Sequence, residues 1–465
     1  MSPAVAGELA TEPVSPAPGP VSSAPGPVSS APGPVSSQPG PVSSQPGPDE
    51  PRIAFVTQWF PPEPAGVPLG IVQSLRRRGV PATVVTGVPN YPDGTVHAGY
   101  SAWRGGRERV DGFDVVRAPL YPSHGRSARG RIANLASYAA TSTVAGSRAL
   151  RSADAALVYS SPATAATAAI VAKLISGTPY LLLILDLWPD SVFATGFLAR
   201  GLRRRLAMAV LGRFTRLAYR HASHIAVTSP GMRSTLLARG VPADKVSIVY
   251  NWADEKAMRP TEPDPRLRAQ LGLTDEFVLM YAGNHGAAQS LDTAIEAMAR
   301  LRDLPNVRLV LVGDGIDKPA LQRLAADLGL DSAVHFLDRV DTEHLPGMMA
   351  AADMQLVSLA DQELFRITVP GKVQCILACG QPVLLAAAGD AAQIVEESGA
   401  GLVCPPGDPN LLASAIRRAS AIPRADLRQM GHAGYGYYHA VLSEDVNAGR
   451  LAELLRAAVQ ARRTG

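Results

Sequence analysis

From Arg52 onward the chain alternates short apolar runs with longer segments of mixed polarity. The runs have strand length and are rich in β-branched residues: "RIAFVTQWF", "ATVVTG", "AALVYSS", "YLLLILD" and "HIAVTS". After "VSIVYNWAD" the pattern restarts with "FVLMYAG", "VRLVLVG", "VHFLD", "MQLVSL" and "PVLLAA". A strand apolar at nearly every position is buried on both faces, which predicts parallel sheets covered by helices. Between the first two runs, "PPEPAGVPLG" reads as a Pro/Gly loop and "IVQSLRRRG" as a short helix closed by Gly79. Strand, loop, helix and strand in that order form a βαβ unit. The pattern therefore predicts an α/β chain with two doubly wound domains, over 51–252 and 253–430. The segment 431–465 holds "NAGRLAELLRAAVQARR", an amphipathic helix expected to pack back on the first domain.

Residues 1–50 have no such pattern. "APGPVSS" starts at Ala17, Ala24 and Ala31, returns as "QPGPVSS" at Gln38 and stops in "QPGP" at Gln45. A Pro/Gly/Ser repeat whose only large apolar residue is Val cannot bury a core. A disordered, partly polyproline-II tail is expected.

Composition changes this picture only in detail. At 465 residues the chain is too long for one core. The net charge of +4 is too small to imply nucleic-acid binding. Nearly all basic residues are arginine and only five are lysine, which gives each lysine more weight. Cys375, Cys379 and Cys404 make no disulfide framework. Cys375 and Cys379 share a helix face without the partners of a zinc set, so both read as small buried apolar residues. The N-terminus lacks the pattern of a signal peptide, and the longest apolar runs are too short to span a bilayer. A cytoplasmic location is expected.

Ligands of open parallel sheets bind beyond the carboxyl ends of the strands, and with two such domains the natural site is the cleft between them. After the first strand stands Gly66, where backbone can approach a ligand closely, as at any turn glycine. "LLLILDLWPDSVFATG" ends a strand with Asp186 and Asp190. A carboxylate there can orient a hydroxyl or take its proton, although Asp190 also suits a helix N-cap. In the second domain "YAGNHGAAQSLD" carries Gly283, Asn284 and Gly286, and "VGDGIDK" carries Gly313 and Gly315. Such strand-to-helix turns offer N–H groups to phosphate. Neither fits the dinucleotide fingerprint or the P-loop.

A third helix start lies in "ELFRITVPGKVQCILACG", with Pro370 suited to the first helical position and Gly380 to the stop. Lys372 falls in the first turn and Arg366 just upstream, where the helix dipole disfavours cations. A bound diphosphate removes that conflict by taking the helix start and both cations together; two basic side chains reaching solvent are the plainer alternative.

These stretches, with "FPPEPAG", "PNYPDG", "DGFDVVRAP", "DLWPDS", "KVSIVYNWAD", "ACGQPVL" and "GAGLVCPPGDP", occur in an order that resembles the family 4 retaining glycosyltransferases, in particular the colanic-acid and O-antigen biosynthesis branch. The resemblance covers about 51–420. It implies the GT-B fold, two Rossmann-like domains with an interdomain cleft. It also implies a nucleotide-sugar donor in the second domain and an acceptor facing the first; a UDP-sugar is the expected donor, with UDP-N-acetylglucosamine one candidate. By resemblance Gly66 lies over the donor diphosphate, and Asp186 falls where relatives have His or Asp beside the donor sugar. Gly283, Asn284, Arg366 and Lys372 would line the diphosphate, and the backbone around Leu337–Val340 would border the base. Asn284 and Gln289 stand where most relatives carry Arg and Lys, and Ile367 and Cys375 stand where they carry two glutamates. Gln374 becomes the candidate for the ribose.

The expected activity is metal-independent, cofactor-free hexosyl transfer with retention to a lipid-linked sugar or small aglycone, without nucleic acid. A non-catalytic nucleotide-sugar-binding subunit, suggested by the missing glutamates, and a nucleotide-sugar epimerase of the same architecture are the alternatives. Arg203, Arg204, Arg205, Arg213, Arg216 and Arg220 interleave with apolar residues over 201–220, either as a half-exposed helix or as a contact with an anionic membrane.

Overall fold

The computed structural model describes residues 50–123, 128–191 and 201–464; the repeat of residues 1–49 and the side chain of Arg203 lie outside the described residues. The first sheet contains β1 (Ile53–Val56), β2 (Ala82–Gly87), β3 (Gly106–Val110), β4 (Phe113–Ala118), β5 (Ala155–Tyr159), β6 (Tyr180–Ile184), β7 (His224–Val227) and β8 (Val246–Ile248). Their spatial order is β3-β4-β2-β1-β5-β6-β7-β8, parallel except for β3. The second sheet is wholly parallel. It contains β9 (Phe277–Ala282), β10 (Val307–Val312), β11 (Val334–Leu337), β12 (Met354–Ser358), β13 (Val383–Ala386) and β14 (Gly401–Cys404), in the order β11-β10-β9-β12-β13-β14. In each sheet the order reverses beside the first strand, between β1 and β5 and between β9 and β12. Those two switch points are where a doubly wound sheet opens a crevice for a ligand.

Period-two alternation explains the layers. Ala54 and Val56 enter one core, while Ile53 and Phe55 enter the core on the opposite face. The second sheet likewise has a core on each face. Helix Glu444–Thr464 covers the Ile53/Phe55 face with Leu451, Leu455 and Val459. The preceding helix, Arg424–Tyr437, places Leu427 in a core of the second sheet. The chain thus passes between the sheets twice, and Glu255 ties the two passages. Its carboxylate accepts from Tyr438 Oη at 2.9 Å and from the Glu444 N–H at 2.7 Å.

Three local expectations change. The helix after β1 runs Gly66–Arg77, so Gly66 is its first residue and not part of a preceding loop. Pro68 is tolerated there because first-turn N–H groups have no helical partner. "ELFRITVPGKVQCILACG" forms two helices, Glu363–Arg366 and Gly371–Ala378. Pro370 is the N-cap, with extended ψ of 136°, and Gly380 takes the left-handed φ of 66°. Asp190 is not an N-cap: it is paired with Arg239.

Candidate active site

The sharpest feature of the second domain is Lys372. It occupies the second position of helix Gly371–Ala378, among N–H groups that have no helical acceptor. Its ammonium donates to Tyr281 Oη at 2.8 Å and lies 4.5 Å from the Tyr281 ring centre. Tyr281 Oη in turn donates to the Asn284 carbonyl at 2.7 Å. No carboxylate of the described residues pairs with this ammonium, and burial pushes Lys372 down to about 8. A half-buried cation at the positive end of a helix is a place prepared for an anion.

The turn that Lys372 covers leaves no room for side chains. A Cβ on Gly283, whose φ is 144°, would stand 2.5 Å from Lys372 Cε. A Cβ on Gly313, whose φ is 133°, would stand 2.0 Å from the Gly283 carbonyl oxygen. The ends of β9 and β10 therefore touch backbone to backbone. Gly313→Ala is expected to lower the melting temperature by several degrees and to abolish donor binding, because left-handed strain and a backbone clash act together. A thermal melt and a binding titration check it.

Two residues beneath the turn carry no signal in the sequence pattern. Lys318 is buried and donates to the Gly313 carbonyl at 2.9 Å, the Leu337 carbonyl at 3.2 Å and Asp338 at 2.8 Å, so it clamps the ends of β10 and β11. His285 is fully buried, and neither ring nitrogen has a hydrogen-bond partner. Burial, with Lys318 and Lys372 nearby, holds its imidazole below the usual range, hence neutral. A neutral ring adds no charge to compete with Lys372 for an anion.

Arg366 is placed differently from Lys372. Its guanidinium is exposed at the end of the short helix and bonds Asp361 at 2.8 Å. Its charge is already met, and Lys372 is the cation that is not. Gln374 is buried, and with its amide oxygen and nitrogen exchanged the nitrogen donates to the Pro370 carbonyl at 2.8 Å. Four residues from Pro370 on a helix, it folds back on its own first turn. Asn284 is exposed and donates to Gln289 Oε1 at 3.3 Å, so the two residues close the turn between them.

On the first domain, Gly66 opens its helix at an exposed position, and an added Cβ would meet nothing within 4 Å. It lines a cavity of about 480 Å³ with Gly70, Trp252, Asp254 and Lys256. Asp254 and Lys372 both act electrostatically on the thiol of Cys375, which burial pushes up to about 11. Asp186, just past β6, is exposed and accepts from Ser161 Oγ, just past β5, at 2.9 Å. A second cavity of about 390 Å³ has walls from both domains, with Asp190, Thr235 and Arg239 on one side and Glu363, Leu364 and Ile367 on the other. Beside it, Ser229 Oγ donates to the Ile367 carbonyl at 2.6 Å and the Gly231 N–H to Asp390 at 2.7 Å.

Glu63 is the residue of the first domain that sequence reading missed. Its buried carboxylate accepts N–H groups of Phe60 at 3.0 Å, Asn90 at 2.8 Å and Tyr91 at 2.9 Å, joining the loops after β1 and β2. Burial pushes its carboxyl above the usual range while those three donors oppose the shift. Flanked by Pro62 and Pro64 in a surface-like loop, its burial has no periodic signature.

The architecture is that of the GT-B glycosyltransferases. Anabaena HepE, solved in complex with UDP and glucose, matches with a TM-score of 0.62 at 21% identity, covering 88% of this chain and 100% of that one. Sucrose-phosphate synthase from Thermosynechococcus elongatus matches with 0.65 at 20% identity and the same coverage. In sequence, the family described as glycosyl transferase 4-like domain matches residues 66–252, and glycosyl transferases group 1 matches residues 276–421. Both matched stretches are glycosyl transferase domains, and together they span most of the chain. WcaI of Escherichia coli (strain K12), a glycosyl transferase by name assigned to colanic acid biosynthesis, is 29% identical over 76% of this chain and 88% of its own length. A D-inositol 3-phosphate glycosyltransferase of a Nocardioides species is 30% identical over 42% of this chain and 46% of its own.

Proposed function

We propose that the protein transfers a hexosyl group from a UDP-sugar to an acceptor hydroxyl with retention at the anomeric carbon. The observation that carries this reading is Lys372, a cation without a carboxylate partner at a helix start, covering the glycine turn of Gly283 and Gly313. The donor diphosphate lies against that helix start and the Lys372 ammonium. Arg366 joins only by leaving Asp361. As the anomeric C–O bond to phosphate breaks, its electron pair goes to the phosphate, where Lys372 and the helix N–H groups stabilise it. The acceptor oxygen bonds the anomeric carbon on the face the nucleotide leaves, and its proton goes to the departing phosphate. Asp186, held by Ser161, orients the reacting hydroxyls. Charge is met here by the protein and not by a metal ion, so activity is expected to persist in a chelator.

Helix Leu202–His221 is proposed as a peripheral membrane contact that brings a lipid-linked acceptor within reach. Leu206, Val210 and Leu217 are exposed among the exposed Arg205, Arg213, Arg216 and Arg220. Among the described residues no helix is long and apolar enough to cross a membrane.

A thermal-shift screen with UDP-, GDP-, ADP- and dTDP-sugars tests the donor. Stabilisation by UDP-sugars in preference to the others supports the assignment, and stabilisation by none of them overturns it. The Lys372 value also fixes a pH dependence. A diphosphate favours the protonated ammonium, so affinity is full below about pH 8 and falls as pH rises through that value. The expected slope is about tenfold per pH unit until the pKa of the complex is reached. Calorimetry at pH 7 to pH 9 reads it.

A further inference from the structure

The loops beyond β2 and β4 hold a group of exposed aromatic residues that the donor chemistry does not use. Tyr91 is 38% exposed, Tyr121 44% and Trp103 72%, and they are the only aromatics among the strongly exposed large apolar side chains of the described residues. Tyr91 also packs on Trp59, with ring centres 5.6 Å apart. Three lie past the carboxyl ends of strands: Trp59 after β1, Tyr91 after β2 and Tyr121 after β4. Trp103 precedes β3, whose start pairs with the end of β4.

A buried polar network fixes their backbones. Asn134 accepts from Gln58 at 2.6 Å and donates to Asn90 Oδ1 at 3.2 Å and to the Tyr121 carbonyl at 2.8 Å. Glu63 holds the Asn90 and Tyr91 N–H groups. The Leu120 N–H donates to the Ala102 carbonyl at 2.9 Å, which ties the Trp103 turn to the same edge. One network thus positions three strand ends. An exposed ring on a fixed backbone loses little entropy when it is covered, which suits ligand binding.

Ring chemistry and distance together indicate the ligand. The face of an aromatic ring carries negative charge and attracts the C–H face of a sugar, while Tyr O–H and Trp N–H groups can meet its hydroxyls. β6, which leads to Asp186, is two strands from β1 and three from β2, so the aromatic edge begins about 10 to 15 Å from Asp186 at a strand spacing of about 4.8 Å. A pyranose ring is about 5 Å across, from bonds of about 1.5 Å. Resting on the transferase reading above, we infer that the acceptor is an oligosaccharide chain of at least two sugars. Its reacting ring sits at Asp186 and Ser161, and its next rings stack on Trp59, Tyr91, Tyr121 and Trp103.

The full chain, saturated with UDP, is titrated by saturation-transfer NMR with methyl glycosides of glucose, galactose, mannose and N-acetylglucosamine, and with methyl maltoside, lactoside, cellobioside and chitobioside. The expected result is that at least one disaccharide binds about tenfold tighter than its monosaccharide, and that Tyr91→Ala and Tyr91→Ser each remove the gain. UDP affinity and melting temperature stay unchanged in these variants. Disaccharides that bind no tighter than monosaccharides, or a gain that survives the substitutions, overturn the inference. So does loss of binding to phosphatidylglycerol vesicles with sugar binding intact, which would make the aromatic edge a membrane contact. Failure of UDP itself to bind the unaltered chain would instead strike the donor reading.

Discussion

Alanine at position 372 is expected to weaken UDP-sugar binding by about 10- to 150-fold, the range of a lost hydrogen bond to a charged group. The variant should nevertheless fold. Lys372 has its ammonium in a half-buried place without a counter-charge, and the displacement from 10.5 to about 8 corresponds to about 3 kcal/mol against the charged form. Because the folded value lies below the unfolded one, this cost is present below about pH 8 and fades as pH rises toward 10.5. Lys372→Met, which keeps the apolar stem, should therefore raise the melting temperature of the free protein at pH 7 while it removes donor affinity. A gain in stability coupled to a loss of binding separates a binding lysine from a structural one. Arg366→Ala should weaken binding only a few-fold, since its partner Asp361 already satisfies it. Equal effects at the two positions would contradict the ranking, and calorimetry reads both.

Asp186→Ala is expected to lower transfer by about 10²- to 10⁴-fold, the range for a positioned acid or base, with donor affinity within about twofold of the original on the standard of an unaltered binding site. Asp186 is exposed, and among the described residues its hydrogen bond is with the exposed-side Ser161, so its removal leaves no buried group unpaired there. Steady-state kinetics with the donor and an acceptor oligosaccharide would show a fall in kcat with little change in the donor KM. A fully active Asp186→Ala protein would remove this carboxylate from the reaction.

Most of the parallel strands were legible because they are apolar at nearly every position; "ATVVTG" coincides with β2 residue for residue, whereas β4, interrupted by Asp114 and Arg117, and the three-residue β8 were not read as strands. β3 was not, because "GRERV" is a charged antiparallel edge strand that satisfies only one neighbour. β14, "GLVC", opens on a glycine and is half-buried at three of its four positions, so it does not stand out as a buried run. The glycines at 283 and 313 were legible as turn residues, but only packing shows that their backbones touch. Lys372 stood out as a cation at a helix start, yet the sequence ranked Arg366 beside it. Nothing local reveals that Asp361 reaches back to Arg366 or that Tyr281 is the neighbour of Lys372. Nor does the sequence show that Gln374 is buried, since one residue along a helix turns a side chain by about 100°, and at 374 that is into the core. Glu63 and Asn134 act across 27 and 44 residues of chain to Asn90, a separation no local pattern encodes.

The central claim is that Lys372 is a half-buried cation poised for a diphosphate. Only five lysines occur in the chain, so selective labelling of lysine side chains gives a spectrum of few signals. Following the Lys372 Cε and Nζ resonances against pH, without and then with saturating UDP-glucose, measures the claim at the atom concerned. The account predicts a midpoint of about 8 in the free protein and an upward displacement of at least one unit when the donor is bound. A free-protein midpoint at the ordinary 10.4 of lysine, or a midpoint that UDP-glucose leaves in place, would contradict it.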